Sequence, residues 1–212
     1  MAGATGLVGR EVLAALLADK SYSQVVCVGR RALPLRHPKL VQHQVDFQAA
    51  APFAALSHVD EVFIALGTTI KVAGSQAAFQ AVDFEAVVAV ARAAQALGAT
   101  KLGVVSAMGA DRHSSVFYNR VKGEMETALR AMGFRRLVIA RPSLIDGDRA
   151  ALQQPGRAGE GLGLLLARAL RPLLPANYRA IAAKDVAHAL VRAVQADAPG
   201  VVTLLSGEMQ GG

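Results

Sequence analysis

Tyr118 and Lys122 stand four residues apart in the run Phe117-Tyr-Asn-Arg-Val-Lys-Gly-Glu124. On a helix, positions i and i+4 share one face. An ammonium beside a phenol favours the ionised phenol, and a tyrosinate-like group can exchange a proton with a carbonyl or an alcohol. Ser106 ends a strand candidate just upstream, where its hydroxyl could polarise the same carbonyl. The bland alternative is a surface tyrosine and lysine on an amphipathic helix. The position just after a strand that ends in serine favours chemistry, with Ser106, Tyr118 and Lys122 as the catalytic set.

The segment Gly3-Ala4-Thr5-Gly6-Leu7-Val8-Gly9 has glycines three apart and opens a helix. Glycine is needed where the backbone turns with positive φ and where a pyrophosphate must touch main-chain N–H groups. Its last glycine lets helix and strand pack closely. Gly3, Thr5, Gly6, Leu7, Val8 and Gly9 are therefore candidate dinucleotide contacts. After the strand candidate Val25–Val28 come Gly29, Arg30 and Arg31, where an NAD site usually offers an acid to the ribose hydroxyls. Two guanidinium groups match a 2′-phosphate in charge and fork geometry instead, which predicts NADP(H). Asp46 and Phe47, closing the next strand candidate, suit an adenine amino group and its ring, although an aspartate there is also an ordinary turn residue. Leu66 ends a further strand candidate and Gly67 and Thr68 follow it, where a small residue lets the chain pass close under a ribose.

These residues need a scaffold, and the hydrophobic pattern supplies one. Short apolar, β-branched runs occur at Val25–Val28, Leu40–Val45, Glu61–Leu66, Leu102–Ser106, Leu137–Ala140 and Val201–Leu205, as strands buried on both faces require. Helical stretches lie between them at Arg10–Ala18, Phe84–Leu97, Ser115–Met132 and Ala183–Ala196, two of them stopping at Gly98 and Gly133. Alternation of this kind predicts an α/β protein: a Rossmann-type, doubly wound parallel sheet in a single domain over residues 1–212. The Gly/Pro-rich stretch Gln153 to Gly163, within an irregular segment of about residues 150–180, is the expected lid facing the substrate. A dinucleotide turn belongs after a strand, yet only Met1 and Ala2 precede Gly3. The first strand is thus expected to be missing, with the natural protein starting upstream of Met1.

The bulk numbers bound the rest. At 53% hydrophobic and 18% charged residues, the chain of 212 is globular. Its one cysteine, Cys27, lies in an apolar run, so no disulfide framework exists and a reducing cytoplasm is the expected home. No uncharged apolar run is long enough to span a bilayer, and Arg168 and Arg171 interrupt the apolar stretch Leu162 to Leu174. The net charge of +7 is scattered and only 5% of residues are aromatic, so nucleotide phosphates are a better match than nucleic acid. The five histidines share no metal-ligand spacing, and no metal is expected.

Taken together, the glycine turn, a serine ending the strand and Tyr-x-x-x-Lys resemble the short-chain dehydrogenase/reductase superfamily. Ala65-Leu-Gly-Thr-Thr-Ile-Lys71, Val105-Ser-Ala-Met-Gly-Ala110, Phe117–Glu124 and Ala140-Arg-Pro-Ser143 are similar to its atypical Tat-interacting-protein-like oxidoreductases, relatives of NmrA-like proteins. The resemblance implies NADP(H) over Gly3–Gly9 and Arg30, with Ser106, Tyr118 and Lys122 at the nicotinamide. Lys122 would also hold the nicotinamide ribose, and Arg141, Pro142 and Ser143 would line the cofactor. It implies hydride transfer to or from a small carbonyl or alcohol, and leaves a homodimer open. The first alternative is a non-catalytic NADP(H) sensor binding protein partners. The second is a nucleotide-sugar epimerase or dehydratase, disfavoured because only about 60 residues follow Arg149. One departure stands out: many superfamily members carry asparagine on the helix where this chain has Asp83, and a carboxylate cannot make the same hydrogen bonds.

Overall fold

The computed structural model describes residues 1–47, 53, 58–146, 175–196 and 198–210. Its centre is a parallel sheet. β1 (Val25–Gly29) pairs with β2 (Leu40–Gln44), and β3 (Glu61–Ile64), β4 (Lys101–Val105), β5 (Arg136–Arg141) and β8 (Gly200–Leu205) follow one another in register. β6 (Ile145–Asp146) and β7 (Ile181–Ala182) form a separate short parallel pair. The six strands predicted from apolar runs are all present, within two residues at each end. The central ones are the most buried, as a sheet covered on both faces demands.

The two parts of the sheet meet at one residue. Ala2 bridges Val28 on one side and Ile64 on the other, both in parallel sense. Its N–H donates to the Phe63 carbonyl at 2.9 Å, and its own carbonyl accepts from Ala65 N–H at 2.9 Å. Ala2 thus occupies the place between β1 and β3 where the first strand of a doubly wound sheet belongs.

Helices cover both faces. α1 (Leu7–Ala18) and α6 (Ala183–Gln195) pack on each other over one apolar cluster that includes Val12, Leu16, Val138 and Leu190. α4 (Val87–Ala96) and α5 (Phe117–Ala131) cover the other, with Val87, Leu102, Met125 and Ile139. Cys27 is buried in the first cluster, and burial pushes its thiol pKa up. The predicted helices are found, with α1 opening three residues before Arg10. One region was not foreseen. Helix begins well before Phe84, as α2 (Ile70–Ala73), α3 (Gln76–Gln80) and a π-helical turn, Ala81–Ala86, that runs into α4. Thr69 and Ser75 cap α2 and α3 with their side chains, a local signal that the apolar periodicity of the later turns obscured. A four-residue helix, α7 (Ser206–Met209), closes the described chain. The predicted lid stretch Gln153 to Gly163 and the apolar stretch Leu162 to Leu174 lie outside the described residues. No described helix is long and apolar enough to cross a membrane.

Two glycines hold this arrangement by close approach. A Cβ on Gly9 would sit 1.9 Å from the Gly3 carbonyl oxygen, and one on Gly123 would sit 2.1 Å from Arg112 N. Gly123 is therefore what lets the 111–112 loop cross α5 beside Lys122. Gly123→Ala is expected to destabilise the fold by about 3 kcal/mol, at the upper end of overpacking because backbone, not a flexible side chain, must yield. The urea unfolding midpoint measures this; an unchanged midpoint would contradict the packing described.

Candidate active site

The carboxyl ends of the parallel strands bring the predicted residues to one edge. Gly3 follows Ala2, Gly67 follows β3, Ser106 follows β4, Arg141 ends β5, and α5 crosses above with Tyr118 and Lys122. Ligands of open α/β sheets bind at this edge, where the strand order reverses. Here the reversal falls at Ala2.

The glycine turn is built as a dinucleotide turn needs. Gly3 has φ +91°, and a Cβ on it would lie 2.4 Å from the Ala65 carbonyl, so no side chain fits. Gly6 N–H closes the turn on Gly3 O at 3.1 Å, and Gly6 then caps α1 with no side-chain hydrogen bond. A Cβ on Gly6 would meet the Gly3 carbonyl oxygen only at an ordinary 3.5 Å. Protein packing does not demand glycine there. What the missing side chain leaves open is the approach to the first N–H groups of α1, a ready anion site. Thr5 lies exposed in this turn, while Leu7 and Val8 open α1, Val8 with its side chain buried in the core. Arg30 and Arg31 leave the end of β1 next to it, both exposed. Asp46 is exposed, and Phe47 is half-buried against Phe53, ring centroids 6.2 Å apart.

On the other side of the edge lie buried charges. Lys122 Nζ is 2.7 Å from Asp83 Oδ1, and the two side chains are only 4% and 1% exposed. Asp83 lies in the π-turn, a feature often found at functional sites. Its second oxygen accepts from Thr68 N–H at 2.8 Å. A Cβ on Gly67 would stand 3.5 Å from Asp83 Oδ1 and 3.9 Å from Lys122 Nζ, so the ion pair lies within a side chain's thickness of that glycine. Tyr118, one helical turn before Lys122, is half-buried. Its ring packs on the fully buried Phe79 with centroids 5.5 Å apart, and Phe79 also touches Phe117.

Ser106 points to a different partner. Its hydroxyl donates to Glu126 Oε1 at 2.6 Å. Glu126, one turn after Lys122 on α5 and 3% exposed in its side chain, also receives a two-pronged grip from Arg141: Nε to Oε1 at 2.9 Å and Nη2 to Oε2 at 2.7 Å. These hydrogen bonds from Arg141 raise its guanidinium pKa above the ordinary value. The single proton of Ser106 is thus directed at Glu126, and the guanidinium of Arg141 is committed to the same carboxylate. Pro142 is buried, its carbonyl accepting from Met108 N–H at 3.0 Å, and Ser143 Oγ lies 2.9 Å from Ser206 Oγ.

Glu126 was not singled out in the sequence. The signal was present: Tyr118, Lys122 and Glu126 recur every four residues on a helix whose same face buries Val121, Met125 and Leu129. Charged residues on a buried stripe must find partners. Among the described residues no three His, Cys, Asp or Glu side chains gather as a metal site.

The comparisons agree with the nucleotide-binding fold. A family model described as NAD(P)H-binding matches residues 3–197. The protein HTATIP2 of Rattus norvegicus is 34% identical over 212 residues, covering 98% of this chain and 82% of its own length. The protein fmp52 of Aspergillus niger, named as mitochondrial, is 36% identical over 154 residues, and the match covers 69% of this chain and 66% of that protein. Among solved structures, a short-chain dehydrogenase family protein from Francisella tularensis superposes with a TM-score of 0.69 at 12% identity, covering 98% of this chain and 96% of that one. MoeE5 in complex with UDP-glucose and NAD superposes with a TM-score of 0.70 at 18% identity over 96% of this chain and 73% of its own. These two establish the Rossmann fold alone.

Glu126→Ala should destabilise the protein by roughly 3 kcal/mol, because it strands a half-buried guanidinium and an unpaired serine hydroxyl. Chemical denaturation reads the loss. A change below about 0.5 kcal/mol, the range of ordinary surface substitutions, would show that the network does not hold α5.

Proposed function

This chain belongs to the NAD(P)H-binding family whose model matches residues 3–197, and from that premise we propose that it is an NADP(H)-dependent oxidoreductase acting on a small carbonyl or alcohol. What supports the reading is the Lys122–Asp83 pair held behind Gly67, with Tyr118 one turn away on α5, at the edge that also carries the Gly3–Gly9 turn. Bound along this edge, the cofactor supplies or accepts the hydride.

The chain's own residues do the rest. The main-chain N–H groups at the start of α1 hold the pyrophosphate, with Thr5, Leu7 and Val8 around it. Arg30 and Arg31 meet the 2′-phosphate as charge-assisted forks. Asp46 and Phe47 flank the adenine, and Leu66, Gly67 and Thr68 pass beneath a ribose. Lys122 holds the nicotinamide ribose. Tyr118 gives a proton to the carbonyl oxygen or takes it from the alcohol. Ser106 orients that oxygen by turning its hydroxyl from Glu126, while Arg141 and Pro142 form the wall at the end of β5. A single buried cysteine suits a reducing cytoplasm, the location we assign; the fmp52 relatives carry a mitochondrial name.

A second reading, an NADP(H) sensor without turnover, draws on one observation: the Ser106 proton is engaged by Glu126. Turnover decides between the two. Tyr118→Phe keeps the ring against Phe79 and removes one hydroxyl, so turnover of a carbonyl substrate should fall about 10²- to 10⁴-fold while NADPH affinity stays within a few-fold. Full turnover in Tyr118→Phe would refute the mechanism. Tight NADPH binding with no turnover in a broad carbonyl and alcohol screen would establish the sensor.

The 2′-phosphate contact has its own test. A charge-assisted hydrogen bond contributes roughly 1.5–3 kcal/mol, or about 10- to 100-fold in affinity. Arg30→Ala should weaken NADPH binding by that factor and leave NADH binding nearly unchanged. Equal affinity of the unaltered protein for NADPH and NADH would remove the basis for the NADP(H) assignment.

A further inference from the structure

A tyrosine–lysine pair alone places one free positive charge beside the nicotinamide. This chain does something different: it buries a carboxylate against that charge. Asp83 is 0% exposed and Lys122 is 3% exposed, so both ions have given up water and their attraction is weakly screened. Thr68 N–H fixes the far oxygen of Asp83 at 2.8 Å, leaving the near oxygen on the ammonium at 2.7 Å. Glu126, the other carboxylate on that face of α5, is taken by Arg141. The ammonium of Lys122 is therefore matched one to one by Asp83.

We propose that Asp83 determines how the site discriminates between oxidised and reduced cofactor. The inference rests on the cofactor site proposed above. A nicotinamide ring carries one positive charge when oxidised and none when reduced. An uncompensated ammonium beside the ring repels the oxidised form and leaves the reduced form unaffected. With Asp83 cancelling that charge, the repulsion is removed and the two forms bind alike. Asparagine in the same place keeps the shape and the acceptor for Thr68 N–H but leaves Lys122 uncompensated. Asp83 thus acts through Lys122, as a residue that sets charge and position, without itself touching the reacting atoms.

The test needs no substrate. Dissociation constants for NADP⁺ by calorimetry and for NADPH by its own fluorescence are measured for the unaltered protein and for Asp83→Asn. The unaltered protein should bind the two forms within a few-fold of each other. Asp83→Asn should weaken NADP⁺ about tenfold relative to NADPH, the scale of one unit charge acting through a partly screened interior. Adding Lys122→Gln should lower both affinities and return their ratio to its original value. Asp83→Ser unmasks the same charge and should shift the ratio the same way, so it serves if the asparagine variant does not fold. A ratio that stays put in both variants, or two affinities that fall in step, overturns the proposal and leaves Asp83 a purely structural residue. Failure of the unaltered protein to bind either form overturns the cofactor site itself, and this inference with it.

Discussion

The structure depends on how closely the main chain passes itself at Gly3. With φ +91° and the Ala65 carbonyl where a Cβ would have to be, residue 3 can only be glycine. Gly9 must then be bare as well, because α1 returns over the Gly3 carbonyl. This contact joins the two parts of the sheet, since Ala2, the neighbour of Gly3, is the residue paired to both Val28 and Ile64. It also fixes where α1 begins. The turn proposed for the anion and the turn that holds the fold are one feature, so a substitution at Gly3 or Gly9 alters both, whereas Gly6 carries no such packing demand.

The second anchor is electrostatic. α5 is amphipathic, yet its buried face carries Lys122 and Glu126 among Val121, Met125 and Leu129. Taking an ion from water costs several kcal/mol, offset only by a well-placed partner. Each charge therefore dictates a contact: Lys122 draws in the π-turn through Asp83, and Glu126 draws in the ends of β4 and β5 through Ser106 and Arg141. Apolar packing would tolerate a sliding or rotated helix. The close Lys122–Asp83 ion pair and the directed hydrogen bonds on Glu126 do not, and so they set the register of α5 that carries Tyr118.

Much of this was legible in the sequence, for reasons that can be named. Strands buried on both faces read as apolar runs, and so β1 to β5 and β8 were evident. Glycines three apart and tyrosine four before lysine are local patterns, preserved in one dimension. What was hidden is non-local. Asp83 was recognised as a departure from asparagine, but its partner lies 39 positions along the chain. The place of Ser106 at a strand end is a sequence property, whereas the direction of its hydroxyl depends on Glu126, 20 residues away. The helix from Ile70 to Gln80 escaped notice because it is broken by Gly74 and buries only Phe79, leaving little periodicity. Phe79 nonetheless carries the ring of Tyr118.

The distribution of charge separates two properties of the site. Among the described residues, the buried charged side chains are Asp83, Lys122, Glu126 and Arg136, two acids and two bases. The excess of +7 in the chain therefore arises outside this buried set, from groups such as Arg30 and Arg31 that are exposed. Exposed charges act through water, over a Debye length of about 8 Å at physiological salt. They favour any phosphate-bearing ligand and lose strength as salt rises. Buried, paired charges are screened far less and respond to the local charge of what lies against them. On the proposed reading, the arginines at the β1 end act on affinity for a dinucleotide, and Lys122 with Asp83 at the α5 end acts on discrimination.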